Sequence, residues 1–207
     1  RRLRPVLAAT LLAGIAGGVW TLARPGMADE SYLALGYAHT LGVAGVPWLR
    51  TAAQLNQPQG VGVDGDSVWV ADSAGRRALH FDTAGRYLDE VGRAGTIGGV
   101  YAGPVRWIAD VATGYDVPSG AAPNDPTARL EVLWLADPVA HDVVGLVVDT
   151  GDVTVLGTPD EPGSDDTHLD GPTGVAVDAA GNVYVSDTGN HRVQVFRRDG
   201  MHLATIG

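Results

Sequence analysis

The 207 residues include 14 basic and 24 acidic side chains, for a formal charge of −10, and with 45% hydrophobic against 18% charged residues wholesale disorder is excluded. The absence of cysteine excludes disulfide frameworks, thiolate metal sites, iron–sulfur clusters, cysteine nucleophiles and a lipid anchor on an N-terminal cysteine. Four of the arginines and no acid fall in residues 1–28, leaving 10 basic against 24 acidic residues, or −14, in a remainder that repels phosphate backbones and anionic lipid, so no nucleic acid is expected as a partner.

The chain opens Arg1-Arg2-Leu3-Arg4 and then runs from Val6 to Ala23, 18 residues, without a charge. A basic stretch, an apolar run and the small residues of Gly26-Met27-Ala28 make the layout of a secretory signal peptide cleaved before Asp29, with Thr21-Leu22-Ala23 as a second cleavage point. The same run fits an uncleaved hydrophobic helix, a signal anchor holding the membrane only through residues 6–23, because 18 residues reach the lower limit of a bilayer span. Both readings export residues 29–207 to the periplasm, the cell surface or the medium. Residues 29–54 read as a linker with an outer closing strand at Tyr32 to Leu41, since Ala38-His39-Thr40-Leu41-Gly42 echoes Leu203-Ala204-Thr205-Ile206-Gly207.

From residue 55 the chain repeats itself. Residues 55–92 and 169–207 align with a single gap: Pro58 meets Pro172, Gly60 meets Gly174, Val61, Val63 and Asp64 meet Val175, Val177 and Asp178, and Asp72, Arg77 and Phe81 meet Asp187, Arg192 and Phe196. A middle copy spans 103–157. Gly103-Pro104 with Trp107, Ala109 and Asp110 supplies its opening, Val132 to Gly157 follows the last copy without a gap, and 111–131 reads as an insertion. Each copy holds four short alternating runs, in the last one about 174–178, 182–186, 192–197 and 202–206, split by Gly, Asn and Asp turns. With 29 Gly and 12 Pro, this predicts an all-β fold of four-stranded antiparallel propeller blades of about 40 residues each.

Three segments of the last copy resemble the NHL repeat family: Gly174-Val175-Ala176-Val177-Asp178, Asn182-Val183-Tyr184-Val185-Ser186-Asp187 and His191-Arg192-Val193-Gln194-Val195-Phe196. The family's Asn-His-Leu signature stands here as Asn190-His191-Arg192. The resemblance covers residues 55–207 and implies a β-propeller of NHL type with only three blades present, an incomplete ring. The expectation is a truncated propeller, with a dimer of three-blade halves or an open arc as alternatives, and self-association through open blade edges.

Asp72, Asp137 and Asp187 end the second strand of each blade, and Arg77 and Arg192 follow in two of them, with Asp142 in the other. Carboxylates recurring with blade symmetry could line a channel mouth and hold Ca²⁺ through hard oxygen ligands. They could equally accept backbone N–H groups across the tight turn that follows. His141 and His191 occupy equivalent turn positions, so Asp72, Arg77, Asp137, His141, Asp187, His191 and Arg192 together make the candidate ligand-binding set at the blade turns. The acidic linker with Asp160, Glu161, Asp165, Asp166 and Asp170 could wrap a calcium ion but lacks the spacing of a calcium loop, which favours a solvated connection. Gly60, Gly62 and Gly65 spell a dinucleotide fingerprint without the helix that must follow it, and no catalytic residue is assigned.

A binding or scaffold module presenting blade loops to a protein, peptide or glycan is the expected function. The insertion, with Tyr115, Pro118, Pro123, Pro126 and Arg129, is the segment that the repeat does not explain. The alternative is a metal-dependent propeller enzyme, of the sugar lactonase or lyase class that similar propellers host, with its site completed by further blades. Such a site calls for an acid that breaks the repeat and points inward, and the alignment above offers none.

Overall fold

The structure is a computed structural model that describes residues 54–92, 105–116 and 129–207. The signal or anchor segment 1–28, the closing strand at 32–41 and most of the linker 29–54 lie outside the described residues, as do 117–128 of the insertion. Among the described residues no helix is long and apolar enough to cross a membrane.

Among the described residues twelve strands form three antiparallel four-stranded sheets in which neighbours in sequence are neighbours in space. The first sheet is β1 (Pro58–Asp64), β2 (Ser67–Asp72), β3 (Arg77–Asp82) and β4 (Tyr87–Val91). The second is β5 (Asp110–Asp116), β6 (Leu130–Asp137), β7 (Asp142–Val147) and β8 (Val153–Leu156). The third is β9 (Pro172–Val177), β10 (Val183–Asp187), β11 (Arg192–Phe196) and β12 (His202–Ile206). The first strands of successive sheets touch one another, β1 with β5 and β5 with β9, while the fourth strands lie outermost. That is the layout of propeller blades, as the repeat predicts.

Period-two alternation distributes the apolar residues between the two sides of each blade. On β2, Trp69 and Ala71 face the second blade, where they join Leu133, Leu135 and Leu146, while Val68 and Val70 turn the other way toward Leu79 and Phe81. On β6, Leu133 and Leu135 face the first blade, and Val132, Trp134 and Ala136 face Val175, Val183, Val185 and Phe196 of the third. The middle blade is therefore covered on both sides, and its central strand reads as an unbroken apolar run in which Val132 to Ala136 are all buried. By contrast β10 alternates between buried and more exposed positions, so only one of its faces is packed.

One expectation needs correction. The inner strand of the middle blade is not the Gly103–Asp110 segment, and residues 111–116 are not inserted: they are the body of β5. Ala112 stands opposite Trp134 as Gly62 stands opposite Trp69 and Ala176 opposite Tyr184, so the true register lies four residues further along. Hydrogen bonds confirm it. Arg106 donates its backbone N–H to Asp137, and the residues at the same offset, Asn56 and Asp170, donate theirs to Asp72 and Asp187. Residues 105–109 are thus the incoming connection of the blade, and the letters Gly-Pro and Ala-Asp within 103–110 imitate a strand opening that lies elsewhere.

Candidate functional site

Two parts of the molecule compete for the role of site: the blade turns singled out by the repeat, and a groove at the far ends of the inner strands. At the turns, all three aspartates are buried and all are committed to the chain itself. Asp72 accepts from Arg77 Nε at 2.8 Å and from the backbone N–H of Asn56. Arg77 also pairs with Glu90 and donates Nη2 to the Gln54 carbonyl at 2.6 Å. Asp187 accepts from Arg192 Nε at 2.7 Å, from Asn190 Nδ2 at 2.8 Å and from the N–H of Asp170 at 2.6 Å. Arg192 reaches on to the carbonyls of Ser164, Asp165 and His168, tying the acidic linker to the third blade.

Asp137 has no arginine, since Asp142 takes that position, and it accepts four backbone N–H bonds instead, from Arg106, Trp107, Val139 and Ala140. Each aspartate therefore fastens the connection that enters its blade to the end of the second strand, and only Asp137 also accepts N–H groups of the turn that follows it, as an Asx-turn acceptor does. Arg76, His141 and His191 all adopt a positive φ of 56 to 58° at the residue closing the turn, the left-handed geometry that a reversing chain requires there. His141 Nδ1 accepts from the Gly171 N–H at 3.1 Å beside Asp170, whereas the His191 side chain is exposed.

The acidic linker is likewise divided among separate partners. Asp160 pairs with Arg106, and Asp170, Asp166 and Glu161 lie near His141, His202 and His168. Asp165 caps its own turn, accepting from the Thr167 hydroxyl and N–H and the His168 N–H, and the bonds from His168 and Thr167 hold its carboxyl well below the usual range. Among the described residues no three His, Asp or Glu side chains are grouped to hold a metal ion.

The groove has a volume of about 520 Å³ and lies where the inner strands end. Val63 and Asp64 of β1, Thr113 to Tyr115 of β5 and the Val177–Gly181 turn after β9 form its walls, with Arg129 and Arg198 at its edge. Tyr115 is 40% exposed. Its hydroxyl donates to the Asp64 carboxylate, which pushes the phenol up to about 12. The Arg129 guanidinium stands 5.7 Å over the ring, and Arg198 pairs with Asp116 at 2.9 Å. Asp178 is held in its turn by the N–H groups of Ala180 and Asn182, by Asn182 Nδ2 and by the Tyr184 hydroxyl, and these bonds lower its pKa.

Two of these residues, Tyr115 and Arg129, stood out in the sequence as part of the unexplained segment; the groove itself did not. Asp110 was also missed. In the corrected register it occupies the position of Gly60 and Gly174, an acid where both other blades have glycine. Its Oδ2 accepts the Val175 N–H at 3.1 Å, tying β5 to β9. Gly60 must be glycine, because a Cβ there would fall 2.6 Å from the Asp110 Cα.

Residues 169–196 match the NHL repeat family. No curated protein matches the chain. Among solved structures, the chain is similar to a streptogramin B lyase, at 18% identity over 70% of this chain and 39% of that one, with a TM-score of 0.44. A virginiamycin B lyase from Staphylococcus aureus matches at 14% identity over 70% and 40%, with a TM-score of 0.42. Hydrazine synthase from Kuenenia stuttgartiensis matches at 13% identity over 78% and 38%, with a TM-score of 0.48. The chain spans about two fifths of the length of these proteins. The described residues carry three four-stranded sheets laid out as propeller blades, and the NHL match falls on the last of them.

Proposed function

We propose that the protein is an exported binding module whose ligand, a protein, peptide or glycan, seats in the groove between the inner-strand ends. The groove around Tyr115 carries this reading. An exposed aromatic face flanked by a guanidinium and carboxylates offers both an apolar platform and directional polar partners, the combination that recognition sites use. The seven turn residues then act as framework: Asp72, Asp137 and Asp187 with Arg77 and Arg192 fasten the blade connections, and His141 and His191 turn the chain. The lactonase or lyase alternative has less support, because the repeat-breaking inner-strand acid Asp110 is spent on the Val175 N–H.

The test is a screen of the full chain against peptide and glycan arrays, repeated with Tyr115→Ala and Arg129→Ala. Hits that weaken at least 10-fold in both variants place the ligand in the groove; hits bound equally by all three proteins sink the reading. Export is tested separately by fusing residues 1–28 to a periplasmic reporter, which stays inactive if the segment does not direct transport.

A further inference from the structure

A row of three polar side chains crosses the first blade where the other two blades have no such row. Ser67 opens β2 directly after the tight turn at Gly65 and Asp66, His80 lies on β3, and Asp89 lies on the outer strand β4. Antiparallel pairing brings them together: His80 stands opposite Trp69 on one side and Asp89 on the other, with Ser67 diagonal to it. Ser67 Oγ is 3.0 Å from His80 Nε2, and His80 Nδ1 is 3.1 Å from Asp89 Oδ1. In the same register the middle blade has Val132, Gly145 and Thr154, and the third has Asn182, Val195 and Ala204. A residue shared by all blades is explained by the repeat; three adjacent departures that complete one hydrogen-bonded chain are not.

The directions of the two bonds are dictated by their chemistry. A carboxylate only accepts, so Nδ1 carries the ring proton and donates it to Asp89. Nε2 then presents its lone pair to Ser67, whose hydroxyl must donate. The imidazole stacks on the Trp69 indole at 4.2 Å between centroids and 7° between planes, which fixes the ring orientation and gives a positive charge on the ring an aromatic face to rest on. Trp69 is itself held by its Nε1–H to Glu131 at 2.9 Å. Hydroxyl, base and orienting carboxylate are in the order, and at the distances, that activate a serine.

We propose that Ser67 is an activated nucleophile that accepts acyl groups from carboxylic esters, with His80 as its general base and Asp89 as the positioning residue. In the first step the Ser67 Oγ–C bond forms and the ester C–O bond breaks. The hydroxyl proton passes to His80 Nε2 and from there to the departing alkoxide, which leaves as an alcohol. In the second step water, deprotonated by His80, attacks the acyl-serine, releasing a carboxylic acid and restoring the Ser67 hydroxyl. Ser67 is half-buried at a hairpin end and the Asp89 side chain is 64% exposed, so solvent and a small ester reach the row.

The full chain is incubated with a fluorophosphonate probe and, separately, with p-nitrophenyl acetate, and the modified residue is located by mass spectrometry. Ser67 is expected to carry the label, and Ser67→Ala to lose it. His80→Gln should slow labelling and ester turnover by about 100-fold or more, the contribution of a positioned base. Asp89→Asn should slow both and displace the pH dependence of labelling, a change that a merely structural carboxylate would not produce. Asp89 is exposed, so this variant tests the relay even if His80→Gln fails to fold. An unlabelled Ser67, or labelling at the same rate and pH profile in Asp89→Asn, overturns the proposal.

Discussion

Replacing Asp187 with Ala tests whether the blade-turn aspartates are framework. The carboxylate is fully buried and accepts from the Arg192 guanidinium, the Asn190 amide and the Asp170 N–H. Its removal strands a guanidinium that is only 12% exposed and orphans a backbone donor. Breaking a buried pair from one side costs about 3–5 kcal/mol, a large share of the roughly 5–15 kcal/mol that holds a domain together. At about 2–4 °C per kcal/mol for a chain of this size, the melting temperature should fall by about 6–20 °C. The double variant Asp187→Leu/Arg192→Met removes both charges and should cost less than the two single changes together. It should not restore wild-type stability, because Arg192 also holds the carbonyls of Ser164, Asp165 and His168. Calorimetry on the wild type, Asp187→Ala, Asp187→Leu, Arg192→Met and the double variant decides the matter. If Asp187→Ala melts within about 1 °C of the wild type, the carboxylate is not structural and a role toward ligand regains its place.

Gly145 lies under the Trp134 ring, where a Cβ would fall 2.6 Å from the indole, so Gly145→Val should destabilise by about 1–3 kcal/mol and alter the near-ultraviolet circular dichroism of the tryptophan. Tyr115, held at about 12 by its bond to Asp64, gives stability that is fully present below pH 10 and is lost as pH rises through about 12. Asp64→Asn should bring phenolate absorbance at 295 nm in at lower pH, and an unchanged titration would refute the bond. Asp165 is depressed below its ordinary 3.8, so the stability it confers is present above that value and is lost as pH falls through the depressed one. In a comparison of acid unfolding, Asp165→Asn should lie below the wild type at neutral pH and converge with it toward acid.

Alternation and turn chemistry made the blades legible without coordinates, because burial on one face writes itself directly into a period of two. Val175 and Val177 on β9 and Val183 and Val185 on β10 are the clearest instance. The middle blade was harder at its inner strand: β5 runs Asp-Val-Ala-Thr-Gly-Tyr-Asp and offers no alternation of apolar residues by which to set the register. Residues 103–110 then captured the alignment by resemblance of letters, which hid Asp110. Ser67, His80 and Asp89 were invisible for another reason. Their separations of 13 and 9 residues match no local motif, and only the antiparallel register of β2, β3 and β4 makes them neighbours.

Blade symmetry serves as the control for reading function here. A side chain found at equivalent positions in every blade has a sufficient explanation in the task that every blade shares, and Asp72, Asp137 and Asp187 fit that account down to the N–H groups they accept. Function needs a departure from symmetry, since a ligand or an ester meets one place on the molecule and not three. Three departures among the described residues bear on that question: Asp110, Tyr115 with Arg129, and the row Ser67, His80 and Asp89. Asp110 is absorbed by its bond to Val175, which leaves the latter two. They are joined by side chains already described: Tyr115 stands opposite Glu131 across β5 and β6, Glu131 accepts from Trp69, and Trp69 stacks on His80. A groove that binds and a serine that reacts would then be linked through Glu131, where the third blade has Gly181.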